Sequence, residues 1–169
     1  MWKQAGAKQV RTGSQLATML AFQHEQLKHE WDSGKFGDSR IELSLPDKLN
    51  PFCWQVTVFG KADSPLDGGC FNIELTIPPN FPDIQPRAYI ETPIFHRLVS
   101  SGTKVLAYFP KKDYEIASHI EAIVEAIHDE NTRPDPRVRV NIKAELAFEE
   151  DRKGYNRKQR RSAQESCEY

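Results

Sequence analysis

The stretch CFNIELTIPPNFPDIQPRAYIETPIFH, residues 70–96, contains the local features that decide the fold. Its first part, residues 70–77, alternates apolar and polar side chains, which is typical of a half-buried strand. The part that follows, residues 78–95, holds five of the chain's eleven prolines. Because proline has no N–H to donate to a sheet, only RAYIET, residues 87–92, can form a regular strand there. The stretch therefore predicts two strands joined by an ordered, proline-rich loop.

Two further strand patterns precede this stretch, RIELSL at residues 40–45 and CWQVTVFG at residues 53–60. The turn KADSPLDGG, residues 61–69, supplies proline, aspartate and glycine, and it predicts a hairpin between the second and third strands. Before the strands, residues 14–31 carry apolar side chains at helical spacing. These are Leu16, Met19, Leu20, Leu27 and Trp31.

After Asp113 the spacing becomes helical again, with one apolar stripe on DYEIASHIEAIVEAIHDE. The prolines in NTRPDPRVR, residues 131–139, end this helix, and Asn141 can cap a following one that carries Tyr155. The element order predicts an α+β fold with an N-terminal helix, a four-stranded antiparallel meander sheet and C-terminal helices. We expect one domain over residues 14–160, with residues 1–13 and 161–169 as flexible or helical extensions.

Composition narrows the class of protein. The chain has 169 residues, with 23 Lys and Arg against 24 Asp and Glu, so neither a nucleic-acid partner nor a membrane partner is expected. No apolar run is long enough to cross a bilayer, and MWKQAGAKQV lacks the apolar core of a signal peptide. The three cysteines show neither disulfide nor metal-ligand spacing. We expect a cytoplasmic or nuclear protein without a cofactor or a metal.

Several motifs in this order resemble the ubiquitin-conjugating enzyme family, from about Leu16 to Tyr155. They are Trp54 in a strand, the turn SPLDGGCF at residues 64–71, the step IPPNFP at residues 77–82, and then His96. The resemblance implies an acyl transferase in which a cysteine carries ubiquitin or a ubiquitin-like protein as a thioester and passes it to a lysine. It also implies an activating enzyme, and in some cases a ligase, as partners.

The chain departs from the family pattern at the site itself. The family's His-Pro-Asn tripeptide reads His96-Arg97-Leu98 here, and no cysteine follows until Cys167. The family's Gly-x-x-Cys-Leu spacing, counted from Gly102, places the missing thiol at Val105. Moving the alignment by two residues places the thiol at Ala107, which we favour because two aliphatic residues precede it.

A thioester cannot form without a thiol, so we expect a conjugating enzyme that is inactive because Ala107 occupies the position of its cysteine. The alternative is a natural non-catalytic variant that acts as a binding adaptor for ubiquitin or for partner enzymes.

Two more residues are candidates for catalysis. With leucine in place of the asparagine, His96, Ser100 or a backbone N–H of residues 99–103 would have to stabilise the oxyanion. The other interpretation of His96 is a structural loop histidine that hydrogen-bonds to the backbone. Asp113 could orient the acceptor lysine, or it could cap the helix that follows.

Two surfaces are candidates for partner binding. Lys8 and Arg11, together with Lys3, make a basic N-terminus suited to an acidic surface on the activating enzyme. Ile84 lies between two prolines and could be an apolar anchor, or it could pack on its own loop.

Overall fold

The computed structural model describes residues 13–34 and 41–168, and it confirms the α+β prediction. An N-terminal helix precedes four strands, and three helices follow them. In chain order the elements are α1 Gly13–Asp32, β1 Ile41–Ser44, β2 Cys53–Phe59, β3 Cys70–Thr76, β4 Arg87–Ile90, α2 Ile116–His128, α3 Ile142–Glu150 and α4 Arg152–Ser166.

The four strands form one antiparallel meander in the order β1-β2-β3-β4. In its register Trp54 faces Leu75, and Ile73 faces both Val56 and Ile90. Alternate residues of β2 and β3 are buried, as period-2 patterning requires. This buried face and the apolar stripe of α2 belong to one hydrophobic core.

The hairpin between β2 and β3 forms at the predicted turn. Gly60 N donates to Gly69 O at 2.9 Å and closes the loop. A side chain at position 60 would lie 1.7 Å from Leu66 O, so only glycine fits this close approach.

The C-terminal part contains two helices after α2, where the sequence suggested one continuous helix through Tyr155. Asn141 caps α3 as predicted, since its side chain accepts the Ala144 N–H at 3.2 Å. The helix then ends at Asp151, whose carboxylate accepts the Gly154 N–H at 3.0 Å and so starts α4. A side-chain cap of this kind competes with helix continuation.

The last helix continues to Ser166 and is held against the sheet and the site loop by two serines. Ser162 Oγ accepts the Phe95 N–H at 2.8 Å, and Ser166 Oγ accepts the Cys70 N–H at 2.9 Å. The packed part of the chain therefore extends past residue 160. Among the described residues, no helix combines the length and the apolar character that a membrane crossing needs.

Candidate functional site

An open groove of about 1150 Å³ runs along the segments that the family motifs singled out. Three parts of the chain line it: residues 83–89, residues 100–114 and residues 135–140. These parts are far apart in sequence, and the fold brings them together.

A tight turn shapes the middle of the groove. Lys104 N donates to Ser100 O at 3.0 Å, and Ser100 N donates to Val105 O at 2.9 Å. Lys104 has a φ of 59°, in the left-handed region that tight turns use. The end of the turn joins the sheet through a bridge between Val105 and Tyr89. The backbone of the candidate thiol region is therefore held at both ends.

The two candidate thiol positions have different environments. Val105 is half-buried and lines the groove. Ala107 is 0% exposed, its N–H donates to Leu98 O, and its carbonyl accepts the Asp135 N–H. A thioester carries a whole protein, so its sulfur must reach solvent. Of the two candidate positions, Val105 lines the groove and Ala107 does not.

The position of the family's asparagine does not face the groove. Leu98 is 0% exposed and belongs to the hydrophobic core. Two of the neighbouring donors are engaged within the loop, because Val99 N donates to His96 O and Ser100 N to Val105 O. The N–H groups of residues 101–103 form no hydrogen bond with another described residue.

His96 is buried and contacts backbone groups. Its Nδ1 accepts the Leu98 N–H at 3.1 Å, and the ring also hydrogen-bonds to the backbone of Ile127. Burial lowers the pKa of His96 to about 4, with the Arg97 guanidinium as a second cause, so the ring is neutral at pH 7. These contacts support the structural interpretation of this histidine.

Arg97 is the residue of this site that sequence reasoning missed. Its guanidinium is buried, donates to the carbonyls of Glu130 and Thr132, and lies 3.4 Å from Glu145 Oε2. It also lies 4.7 Å from the centre of the Phe148 ring. The replacement of the family's proline by an arginine was the feature of the sequence that could have revealed its role. The Arg97 side chain joins the site loop to the segments around α3.

Asp113 is exposed at one end of the groove and does not cap α2. That helix begins at Ile116 with Glu115 as its N-cap, so the capping expectation is wrong. The carbonyl of Asp113 instead accepts from His119 Nε2 at 2.7 Å. Because Nε2 carries the proton, Nδ1 accepts from the Tyr108 hydroxyl, also at 2.7 Å. This buried network joins the groove to α2.

Large apolar side chains are exposed along the same groove. Ile84 is 53% exposed, so about half of its surface is open to solvent. Phe109 and Tyr114 are also exposed, at 56% and 59%. Exposed aromatic and aliphatic groups that share one groove are typical of a protein-binding surface. The other predicted partner residues, Lys8 and Arg11, lie outside the described residues.

The chain's cysteines are remote from the groove. Cys53 and Cys70 are half-buried, and burial raises the pKa of both thiols. Cys167 is exposed just after α4. Across the described ranges, no group of three or more His, Cys, Asp or Glu side chains could hold a metal ion.

Comparison with known proteins agrees with the geometry. Residues 25–163 match the family model described as ubiquitin-conjugating enzyme. A ubiquitin-conjugating enzyme E2 7 from Triticum aestivum is 29% identical over 140 residues, covering 76% of this chain and 83% of the relative. One of the same name from Arabidopsis thaliana is 28% identical over 169 residues, covering 92% and 98%. The chain belongs to the ubiquitin-conjugating enzyme family.

Proposed function

We propose that this chain is a non-catalytic member of the family that works as a binding adaptor for ubiquitin, a ubiquitin-like protein or a partner enzyme. The observation that carries the proposal is the groove at Val105. An aliphatic side chain occupies the place from which a thiol would reach solvent. Without a thiolate, no acyl intermediate can form there.

A second observation separates this proposal from a conjugating enzyme silenced at one position. The oxyanion-donor position holds Leu98 in the core, and the Val99 and Ser100 N–H groups are already used. Replacing one cysteine by alanine or valine would leave such a donor in place. Since both the thiol and the family's asparagine are missing, a natural variant fits better than an enzyme that lost its nucleophile alone.

The groove retains what binding requires. It presents Ile84, Phe109 and Tyr114 to solvent, with cationic side chains beside them. The fold that would meet an activating enzyme or a ligase is complete from α1 to α4. By the family resemblance, Lys8 and Arg11 are proposed to contact the activating enzyme.

Restoring the thiol tests the proposal. Val105→Cys and Ala107→Cys would each be incubated with activating enzyme, ATP and a panel of ubiquitin-like proteins, and reducible adducts would be sought on non-reducing gels. Thr103→Cys, exposed in the same turn, is the matched control for non-specific attachment. We expect no adduct at either position above this control, because the family's asparagine is missing.

An adduct at Val105→Cys would instead identify a silenced conjugating enzyme and would set the register of the site. Charge reversal at Lys8 and Arg11 in that variant would then slow charging if the N-terminus docks the activating enzyme. An adduct at Ala107→Cys would show that the loop opens to expose a side chain that is now fully buried.

A further inference from the structure

The outward side of α4 is a row of cations. Lys153, Arg157, Arg160 and Arg161 are exposed, and no acidic residue lies between positions 152 and 164. At 3.6 residues per turn these four side chains share one face. The opposite face carries the buried residues of the helix, which are Tyr155, Gln159, Ser162, Ala163 and Ser166.

These four cations form no ion pair with any residue in the described ranges. The other two basic residues of the helix have partners: Arg152 lies 2.9 Å from Glu130, and Lys158 lies over the Phe95 ring. The row is also held rigidly, because Ser162, Ser166 and the Tyr155 hydroxyl bond α4 to the body of the protein. A rigid row of unpaired cations needs little ordering to bind a matching surface.

A matching acidic row lies on α2. Glu121 and Glu125 are exposed, and Asp129 continues the row at the C-cap. None of the three forms an ion pair with another described residue. They border a hollow of about 550 Å³ whose apolar wall is Trp31 and Val124, with Lys61 and His128 also at its edge. The hollow offers room for long cationic side chains beside carboxylates.

The two rows have the same spacing. Lys153, Arg157 and Arg161 are four residues apart, as are Glu121, Glu125 and Asp129. With a rise of about 1.5 Å per residue, neighbouring charges lie about 6 Å apart along either row. No ion pair joins the rows within one chain, as far as the described residues extend. We propose that the cationic row on α4 of one copy docks on the acidic row on α2 of a second copy.

The acidic residues at the two ends of the cationic row favour a second copy of the chain over a nucleic acid as its partner. Glu149 and Glu150 precede the row, and Glu165 and Glu168 follow it. These acids would repel a long polyanion, whereas a short acidic row of equal length avoids them. The aromatic residue between the cations in sequence, Tyr155, is buried on the opposite face of α4 and cannot stack on bases. Because the chain's net charge is only −1, electrostatic repulsion between two copies is weak.

Because the two surfaces differ, the contact is heterologous: one copy keeps its acidic row free and the other keeps its cationic row free. Copies would therefore add head to tail. Exposed ion pairs are individually weak, so the association is concentration-dependent and is reduced by salt.

Two charge-reversal variants test this. The first, Arg157→Glu with Arg161→Glu, removes the cationic row; the second, Glu121→Lys with Glu125→Lys, removes the acidic one. Sedimentation would be measured against concentration at about 50 mM and about 500 mM salt. The control Lys48→Glu with Lys143→Glu reverses two exposed lysines outside both rows. Circular dichroism and thermal melts check that every variant is folded.

We expect the wild type and the control to associate at low salt, and each row variant alone to associate at least about tenfold more weakly. An equimolar mixture of the two row variants should associate again, since the intact rows of the two variants are complementary and so are the two reversed rows. A wild type that stays monomeric at low salt would overturn the proposal, as would a mixture that stays monomeric. Binding of the cationic row to duplex DNA or an acidic peptide, without self-association, would assign the row to that partner instead.

Discussion

Arg97 shows how one side chain can join a loop to distant segments of the chain. Its guanidinium fills the space between the site loop and the segment after α2, where it satisfies two backbone carbonyls. The Arg97 N–H donates to the Tyr155 hydroxyl at 3.3 Å, so α4 is also involved. A buried arginine with these partners stabilises the loop in one conformation. The loop is thereby built for rigidity, which suits a binding surface.

The buried His96 predicts a pH dependence of stability. Its pKa is about 4 in the folded state, below the ordinary value of 6.5, so the unfolded chain binds the proton more tightly. The histidine's stabilising contribution is therefore complete above pH 6.5 and is lost as the pH falls towards 4. By linkage the loss amounts to about 3 kcal/mol.

Urea unfolding of the wild type and His96→Asn between pH 4 and pH 7 measures this effect. Asparagine can still accept the Leu98 N–H but does not titrate. The wild type should lose its advantage over the variant as the pH falls. Burial also lowers the pKa of His24, His119 and His128, so comparison with the variant is needed to isolate His96. A constant difference across the range would contradict the assignment.

At the scale of elements, α4 depends on side-chain hydroxyls for its docking. Seven of its 15 residues are charged, and its buried face includes two serines and a glutamine. The serines satisfy backbone N–H groups at Phe95 and Cys70 that the sheet leaves unpaired. The helix is therefore positioned by specific hydrogen bonds as well as by burial of the Tyr155 ring.

Replacing these serines should loosen α4. Ser162→Ala and Ser166→Ala each leave a backbone donor without its partner, which costs about 1–3 kcal/mol. Ser101→Ala, in the exposed turn of the groove, is the matched control and should change stability by less than about 0.5 kcal/mol. Chemical denaturation provides the free energies, and hydrogen exchange at Phe95 and Cys70 reports the local effect. Equal stability of all three variants would show that α4 is docked by other contacts.

At the scale of the whole molecule, the exposed groups of the groove come from distant segments. Ile84 lies in the proline-rich loop, whereas Phe109 and Tyr114 lie beyond the tight turn. The meander sheet brings these segments together, because β4 bridges to the turn at Val105. A binding surface assembled this way is present only in the folded protein.

Ile84→Asp should weaken capture of the protein's partner at least about tenfold, because a charge replaces a desolvated apolar contact. Leu49→Asp is the matched control, since Leu49 is 94% exposed in the β1–β2 loop, away from the residues that line the groove. Titrations with ubiquitin, ubiquitin-like proteins and the activating enzyme would be compared for both variants. Equal binding by the two variants would remove Ile84 from the interface.

The helices, the strands and the family could be predicted from the amino-acid sequence. The alternation in β2 and β3 and the apolar stripe of α2 are local periodicities, so they can be read without tertiary information. The proline loop and the glycine turn have local causes too. That no cysteine occurs between Cys70 and Cys167 is likewise a property of the sequence.

The tertiary structure was needed to establish which residues of the irregular loop face the groove. No periodicity governs residues 96–114, so orientation there depends on partners far along the chain. Ala107 is enclosed because its carbonyl accepts the Asp135 N–H, whereas Val105 bridges to Tyr89 at the groove. The end of α3 at Asp151 likewise depended on a side-chain cap that periodicity does not indicate. Long-range hydrogen bonds and burial, which local patterns do not encode, oriented the loop, whereas the cap at Asp151 is a local contact with Gly154.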